Sequence, residues 1–366
     1  MAVKSVLILT AGFGEGHNAA ARNLRDALRA LQPGLRVEMR DVFAEAYGLV
    51  NQWSVKGYLF AINQLPSLWA AVFRWLDESS SLQGGIGLFG RAAKQLRAIL
   101  DECQPDVIVS TYPGCNHLLD HLRKHGTTID ARQATIVTDS LTINSVWHSA
   151  HSDMFLVAND ATAAVLREAG VAPERIVVTG FPVPAFFAQP HPPKTAPAPG
   201  ERWKVLFMVN SGKRIAEEAV RELAAMPGIE LTVTVGRDDV LEKRIRESTP
   251  GIRVLGWTTE LYALMASSHL IVSKAGGATV QECLAAKTPM IISQVVPGQE
   301  EGNARLIVES EAGAVAESAE LIAETARRAF SNNGALWAKW HAGASKLSRP
   351  NASRDTAEWL LKWGAA

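Results

Sequence analysis

The stretch from Ser273 to Asn303 constrains this chain more than any other part of it. Residues 269–272 form an apolar run that reads as a short buried strand, and Ala278 onward has the composition of a helix. Between them lies Ser273-Lys274-Ala275-Gly276-Gly277, where the glycine pair lets backbone come close to a ligand. A strand, a glycine turn and a helix in that order aim free N–H groups and the positive end of a helix dipole at an anion. Glu282 sits about one turn into the helix, where its carboxylate can accept hydrogen bonds from a ribose diol. A second strand, 290–293, leads into Pro297-Gly298-Gln299-Glu300-Glu301-Gly302-Asn303, whose carboxylates and amides suit sugar hydroxyls. Together these parts predict a nucleotide-diphosphate-sugar site with Gly276, Gly277, Thr279, Glu282, Gln299 and Glu300 as donor-binding candidates.

The remainder of the chain is consistent with a two-domain α/β protein. Its 366 residues, 47% hydrophobic, are enough for two cores. The 37 basic and 37 acidic residues balance, so no global field favours nucleic acid, which is not expected as a partner. Cys103, Cys115 and Cys283 are scattered and lack metal-ligand spacing, which suits a reducing compartment. The apolar run 6–9 is broken by Gly12 and Gly14 too soon for a signal peptide, and no stretch offers the roughly 20 apolar residues of a membrane span. The expected location is the cytoplasm, or the inner face of a membrane as a peripheral protein.

In chain order, residues 6–9 read as a buried parallel strand that feeds Ala11-Gly12-Phe13-Gly14-Glu15-Gly16-His17-Asn18 and then a helix over 19–31. The glycine spacing does not fit a dinucleotide fingerprint. His17 at a helix N-terminus feels the positive end of the dipole, which disfavours its protonated form and leaves an imidazole able to take a proton. Tyr58, Ile62, Leu65, Trp69, Val72 and Leu76 recur at steps of four and three, a helical stripe that Pro66 should kink. Such a stripe is either core or an interfacial segment that dips aromatic side chains into lipid headgroups. Strands are expected at 106–110 and 134–139. Ligands gather at the carboxyl ends of strands in open α/β sheets, so Pro113, Asp139 and the Gly14–Gly16–His17 loop should converge. Asp139 either assists a base or caps a turn. Residues 189–200 are dense in proline and read as a linker.

The second half repeats the alternation. A strand at 204–209 ends at Asn210-Ser211-Gly212-Lys213, a phosphate or sugar contact, and a strand at 231–235 ends at Gly236-Arg237-Asp238, where Arg237 can reach a diphosphate. Trp257 follows Gly256 after residues 253–255 and either packs beside a base or belongs to the core.

These motifs resemble those of the GT-B glycosyltransferases that glycosylate diacylglycerol: the plant-type monogalactosyldiacylglycerol synthases and the bacterial processive diacylglycerol glucosyltransferases. The peptidoglycan N-acetylglucosaminyltransferase is a more distant likeness. The resemblance runs from the Gly-Glu-Gly-His loop to Asn303. It implies an α/β GT-B fold of two Rossmann-like domains with a cleft between them: 1–188 facing the acceptor and membrane, a linker over 189–202, a donor domain over 203–345, and a terminal helix within 346–366 that returns to the first domain. It implies His17 as the base with Asp139 beside it, and Gly14, Gly16, Pro113, Trp147, Tyr58 and Trp69 around the acceptor. It implies that Gly256 and Trp257 read a uracil ring next to Asn210 and Arg237. The partners would be a UDP-sugar, a lipid acceptor and an anionic membrane surface. The reaction would be a single inverting displacement with no cofactor, since no Asp-x-Asp metal motif is present. One departure is Asn144, where the plant-type pattern has a histidine five residues past the aspartate. Other readings of the same nucleotide site are a transferase or epimerase with a different substrate, and a non-catalytic UDP-sugar sensor.

Overall fold

The computed structural model describes residues 2–12, 14–48, 90–209, 213–298 and 300–365. They form two compact units. The first comprises Met1–Ala185, Pro297–Gly302 and Asn351–Ala366, and the second Phe186–Val296 and Asn303–Pro350. Tyr58, Trp69, Asn210 and Gln299 lie outside the described residues.

In the first unit six parallel strands run in the order β2-β1-β3-β4-β5-β6: β1 Ser5–Thr10, β2 Arg36–Asp41, β3 Val107–Ser110, β4 Arg132–Ile136, β5 Met154–Val157 and β6 Ile176–Val178. Every residue of β1 is buried because the strand is central and covered on both faces. Its alternation divides the core in two. Leu7 and Leu9 pack with Leu96 and Ile99 of α3 (Gly90–Cys103) and Leu119 of α4 (Pro113–Lys124). Val6 and Ile8 face Leu24 and Leu28 of α1 (Glu15–Leu31) and Ala357 and Leu360 of α12 (Ala352–Ala365). Each such leucine or isoleucine, removed from water entirely, contributes about 1.5–3 kcal/mol. The short α2 (Val42–Tyr47) is capped by Asp41, whose carboxylate accepts from Ala44 N–H at 2.8 Å, and α5 (Asp160–Glu168) by Asn159.

The second unit holds another six-stranded parallel sheet, ordered β12-β11-β10-β7-β8-β9: β7 Trp203–Met208, β8 Ile229–Thr234, β9 Arg253–Leu255, β10 Leu270–Lys274, β11 Met290–Gln294 and β12 Gly313–Val315. Around it lie α6 (Lys213–Ala224), α7 (Asp239–Ser248), α8 (Leu261–Ser267), α9 (Gly277–Ala285), α10 (Glu301–Glu309, which starts in the first unit) and α11 (Ala319–Leu347). The backbone of α11 breaks at Ser331–Gly334, where Asn332, Asn333 and Gly334 take left-handed angles. Asn and Gly tolerate that region best. Gly334 also makes room for Trp203, whose ring would meet an added Cβ at 2.5 Å. The sequence predicts only the part of α11 after this break, a helix over 335–347, and does not announce α2, α4, α7, α8, α10 or β12. Of these, α7, α8 and β12 are short, and α11 is interrupted.

Both sheets reverse their winding order, between β1 and β3 in the first and between β7 and β10 in the second. Ligands of doubly wound sheets bind at the carboxyl ends of the strands at such a reversal. The loops concerned are 11–14 and 111–112 in the first unit and 275–276 in the second.

Candidate active site

His17 is the third residue of α1, and its side chain turns under the loop into the carboxyl edge of the first sheet. His17 is 9% exposed. Nδ1 lies 2.8 Å from the carbonyl oxygen of Thr111, just past β3, and 2.9 Å from Oγ1 of Thr138, just past β4. A carbonyl can only accept, so Nδ1 carries the proton and Nε2 holds the lone pair. Burial pulls the His17 pKa from 6.5 down to about 4, opposed only in part by the Thr111 hydrogen bond, so the ring is neutral near pH 7. Nε2 makes no hydrogen bond among the described residues. A Cβ at Gly14 would stand 3.5 Å from Cδ2 and 3.8 Å from Nε2, so Gly14 lies against that edge of the ring. Tyr112 meets the imidazole edge-on at 5.2 Å between centroids, and Trp147 lies at 5.9 Å.

Asp139 stands one layer out from His17. It lies beyond the end of β4, which stops at Ile136, three residues earlier than the sequence suggested. Its carboxylate accepts from Trp147 Nε1–H at 2.7 Å. Burial raises its pKa to about 6, against the lowering effect of that bond. Trp147 is itself only 1% exposed, so it forms a wall behind His17 and not an open face for an acceptor. Asn144 explains how the indole is placed. Its Oδ1 accepts from Val146 N–H at 3.0 Å and caps the short 3-10 turn Ser145–Trp147. The amide is therefore a turn cap, a role that needs no titrating group. Pro113 is buried as the first residue of α4, the position where a missing N–H costs least. Gly16 lies in the first turn of α1.

Two predictions arise here. Asp139→Asn keeps the acceptor for Trp147 but removes the buried charge. The carboxyl has a folded pKa above its unfolded value, so its charge costs stability above about pH 6, and that cost disappears as pH falls below the ordinary carboxylate range. The variant should be more stable than wild type by about 1–3 kcal/mol at pH 8, with no difference at pH 3.5, in urea unfolding followed across pH. Asn144→Ala should lower unfolding stability by about 1 kcal/mol at any pH, the usual effect of losing a side-chain cap.

In the second unit β10 ends at Lys274 and α9 begins at Gly277. Gly276 is the N-cap and offers no side chain to the first-turn N–H groups. The turn is fixed at Ala275, whose N–H donates to Gln294 at 3.0 Å and whose carbonyl accepts from Asn303 Nδ2 at 3.0 Å. Glu282 is 7% exposed on α9, next to buried Gln281. The turns after β8 and β9 share this edge of the sheet. Gly256 lets Glu242 approach, since an added Cβ would meet its Oε2 at 2.7 Å. Arg237 is exposed and makes no ion pair among the described residues. Trp257 is 67% exposed, which rules out its membership of the core and leaves its ring available to a ligand. From β10 to β9 is three strand spacings, about 14 Å, along one edge. A cavity of about 630 Å³ lies elsewhere, lined by Lys194, Arg202, Lys204, Glu230 and His269 beside the amino ends of β7, β8 and β10. It is separated from Gly276 by the length of β10, about 16 Å, so it is not the anion site of α9.

The fold of the chain is that of MurG from Acinetobacter baumannii, with a TM-score of 0.64 at 13% identity over 98% of this chain and 99% of that one. The monogalactosyldiacylglycerol (MGDG) synthase family model matches residues 17–183, and the glycosyltransferase family 28 C-terminal domain matches residues 210–348. The chain is a glycosyltransferase with the GT-B fold. Among relatives of this glycosyltransferase, monogalactosyldiacylglycerol synthase 3, chloroplastic, of Arabidopsis thaliana is 28% identical, with 96% of this chain and 80% of that protein aligned. Processive diacylglycerol beta-glucosyltransferase of Bacillus cytotoxicus is 27% identical, with 87% of this chain and 84% of that protein covered.

In each unit of the glycosyltransferase the sequence candidates fall at the carboxyl edge of its sheet. His17, Gly14, Gly16, Pro113, Asp139 and Trp147 gather in the first unit, and Gly276, Gly277, Thr279, Glu282, Arg237, Gly256 and Trp257 lie along the edge of the second. Glu300 is 6% exposed and is grouped with the first unit. Sequence reasoning missed Thr111 and Thr138, the two groups that hold the histidine. Thr138 stood in plain sight in the Val137-Thr138-Asp139 motif, but Thr111 acts through its backbone, which no residue code announces.

Proposed function

We propose that this glycosyltransferase moves a hexose from a UDP-sugar to the hydroxyl of a diacylglycerol-type lipid, in one inverting displacement and without a metal or other cofactor. The observation that carries the reading is His17: a buried neutral imidazole with one nitrogen pinned and the other without a hydrogen bond among the described residues, in a unit matched by the MGDG synthase family from that residue onward. Nε2 takes the proton of the acceptor hydroxyl as its oxygen forms a bond to the anomeric carbon. The bond from that carbon to the diphosphate breaks, and UDP leaves with the electron pair. The first-turn N–H groups of α9, at Gly277–Thr279, receive the charge that develops on the leaving phosphate, a task for which a helix N-terminus is already oriented. Trp257 stacks on the uracil, and Glu282 accepts from the ribose. No helix among the described residues is long and apolar enough to cross a membrane, so access to a lipid acceptor would be from the surface, as a peripheral protein on the inner face.

The test is to incubate the enzyme with UDP-glucose, UDP-galactose or UDP-N-acetylglucosamine and anionic vesicles containing diacylglycerol, and to examine lipid extracts by mass spectrometry. A glycosyl-diacylglycerol from one donor supports the proposal. UDP binding with no lipid product from any donor contradicts it and favours a sensor or another acceptor.

A further inference from the structure

Among the described residues His17 has no carboxylate hydrogen-bonded to its ring. Asp139 is engaged by the indole of Trp147, and the nitrogen that a carboxylate would orient meets two oxygens instead. The Thr111 carbonyl belongs to the turn after β3 and the Thr138 hydroxyl to the turn after β4. Both threonines are buried, Thr111 at 0% and Thr138 at 5% exposure. One N–H shared between two acceptors fixes the plane of the ring as well as its tautomer, because rotation about Cβ–Cγ would break both contacts. We infer that Thr138 is a positioning residue for the base: together with the Thr111 carbonyl it holds His17 as the Nδ1–H tautomer and stabilises the imidazolium that forms when Nε2 takes the acceptor proton. This inference rests on the reading of His17 as the base.

The chemistry follows from the positions. As Nε2 gains a proton, the Nδ1–H becomes more acidic and its hydrogen bonds strengthen, so both oxygens bind the transition state better than the ground state. A hydroxyl oxygen and a carbonyl oxygen provide dipoles and no net charge, so they leave the resting ring neutral, whereas a carboxylate would raise its basicity. The rings of Tyr112, on the turn after β3, and of Trp147, which binds Asp139, pack on the imidazole; the nearby elements also carry Asp41, beside Gly12, and the exposed Glu15 on α1. None of them hydrogen-bonds to the imidazole. Burial sets the protonation of the ring, and the two neutral acceptors set its tautomer and orientation.

Nitrogen-15 NMR of the histidine-labelled full-length protein reads the tautomer without any substrate. A pyridine-type Nε2 and a protonated Nδ1 for His17 at pH 7 are expected, and a pyridine-type Nδ1 in the wild type would overturn the inference whatever the variants do. Thr138→Val, close in shape, removes the second acceptor. Its kcat should fall about tenfold, equivalent to about 1.4 kcal/mol of transition-state stabilisation, with KM for both substrates within about twofold. Thr138→Ser, which restores the oxygen, should recover most of the rate. A Thr138→Val enzyme that keeps wild-type kcat and the wild-type acid limb of its pH profile overturns the inference. Loss of rate in Thr138→Ser as severe as in Thr138→Val would do the same. Retention of activity by His17→Ala would instead defeat the underlying assignment of the base, so the two failures are told apart.

Discussion

Replacement of His17 by alanine should lower glycolipid formation about a thousandfold, the middle of the range that a positioned general base supplies. The effect should fall on kcat, while the affinity for UDP stays within about twofold, because UDP is assigned to the other unit. The pH dependence carries a separate signature. Burial holds the His17 pKa near 4, so the ring is already deprotonated over the usual assay range. The acid limb of kcat/KM in the wild type should therefore have its midpoint below about pH 5, lower than an unperturbed histidine at about 6.5 would give. The His17→Ala enzyme should lack that limb. A residual rate with the same pH profile as wild type would mean that another group takes the proton.

Glu282→Ala should have the second largest effect, and a different one. Glu282 lies on α9 at 7% exposure, two helical turns or less from the N-terminus to which the diphosphate is assigned above. A carboxylate accepting from two ribose hydroxyls provides charge-assisted bonds of about 1.5–3 kcal/mol in favourable cases. Binding of UDP and KM for the donor should therefore weaken about thirtyfold, with kcat changed much less, as measured by titration calorimetry and initial rates. Glu282→Gln, which keeps one acceptor oxygen, should fall between the two. Equal weakening in UMP, UDP and UDP-sugar titrations would place the contact on the nucleoside, and an effect confined to the UDP-sugar would move it to the hexose.

Much of this architecture was legible before any coordinates because the signals are local and periodic. A run such as Val6-Leu7-Ile8-Leu9 is apolar on both faces, as only a strand covered on both sides must be, and the same argument found β3, β7 and β10. The turn at Gly276 was legible because Gly-Gly between a strand and a helix has few uses. What escaped was structure set by tertiary packing. At the break in α11, Gly334 packs against the ring of Trp203, a residue far away in the sequence. At the site, His17 and the aspartate of the Val137-Thr138-Asp139 motif both stood out, and direct cooperation between them was a natural expectation. The structure interposes Trp147 instead, and the imidazole is held by its neighbour Thr138 and by a peptide carbonyl. Asn144 shows the same lesson from the other side. Its place in the sequence pattern suggested altered acceptor chemistry, while its side chain caps the turn that carries Trp147.

The measurement that bears most directly on this account is the anomeric configuration of the lipid product, read from the proton coupling at the sugar's anomeric carbon by NMR. The donor sugars are α-linked to UDP, so one displacement assisted by a base in the position of His17 gives a β-glycoside of diacylglycerol. An α-glycoside would require a second displacement or a different attacking group, and would contradict the assignment of a single base.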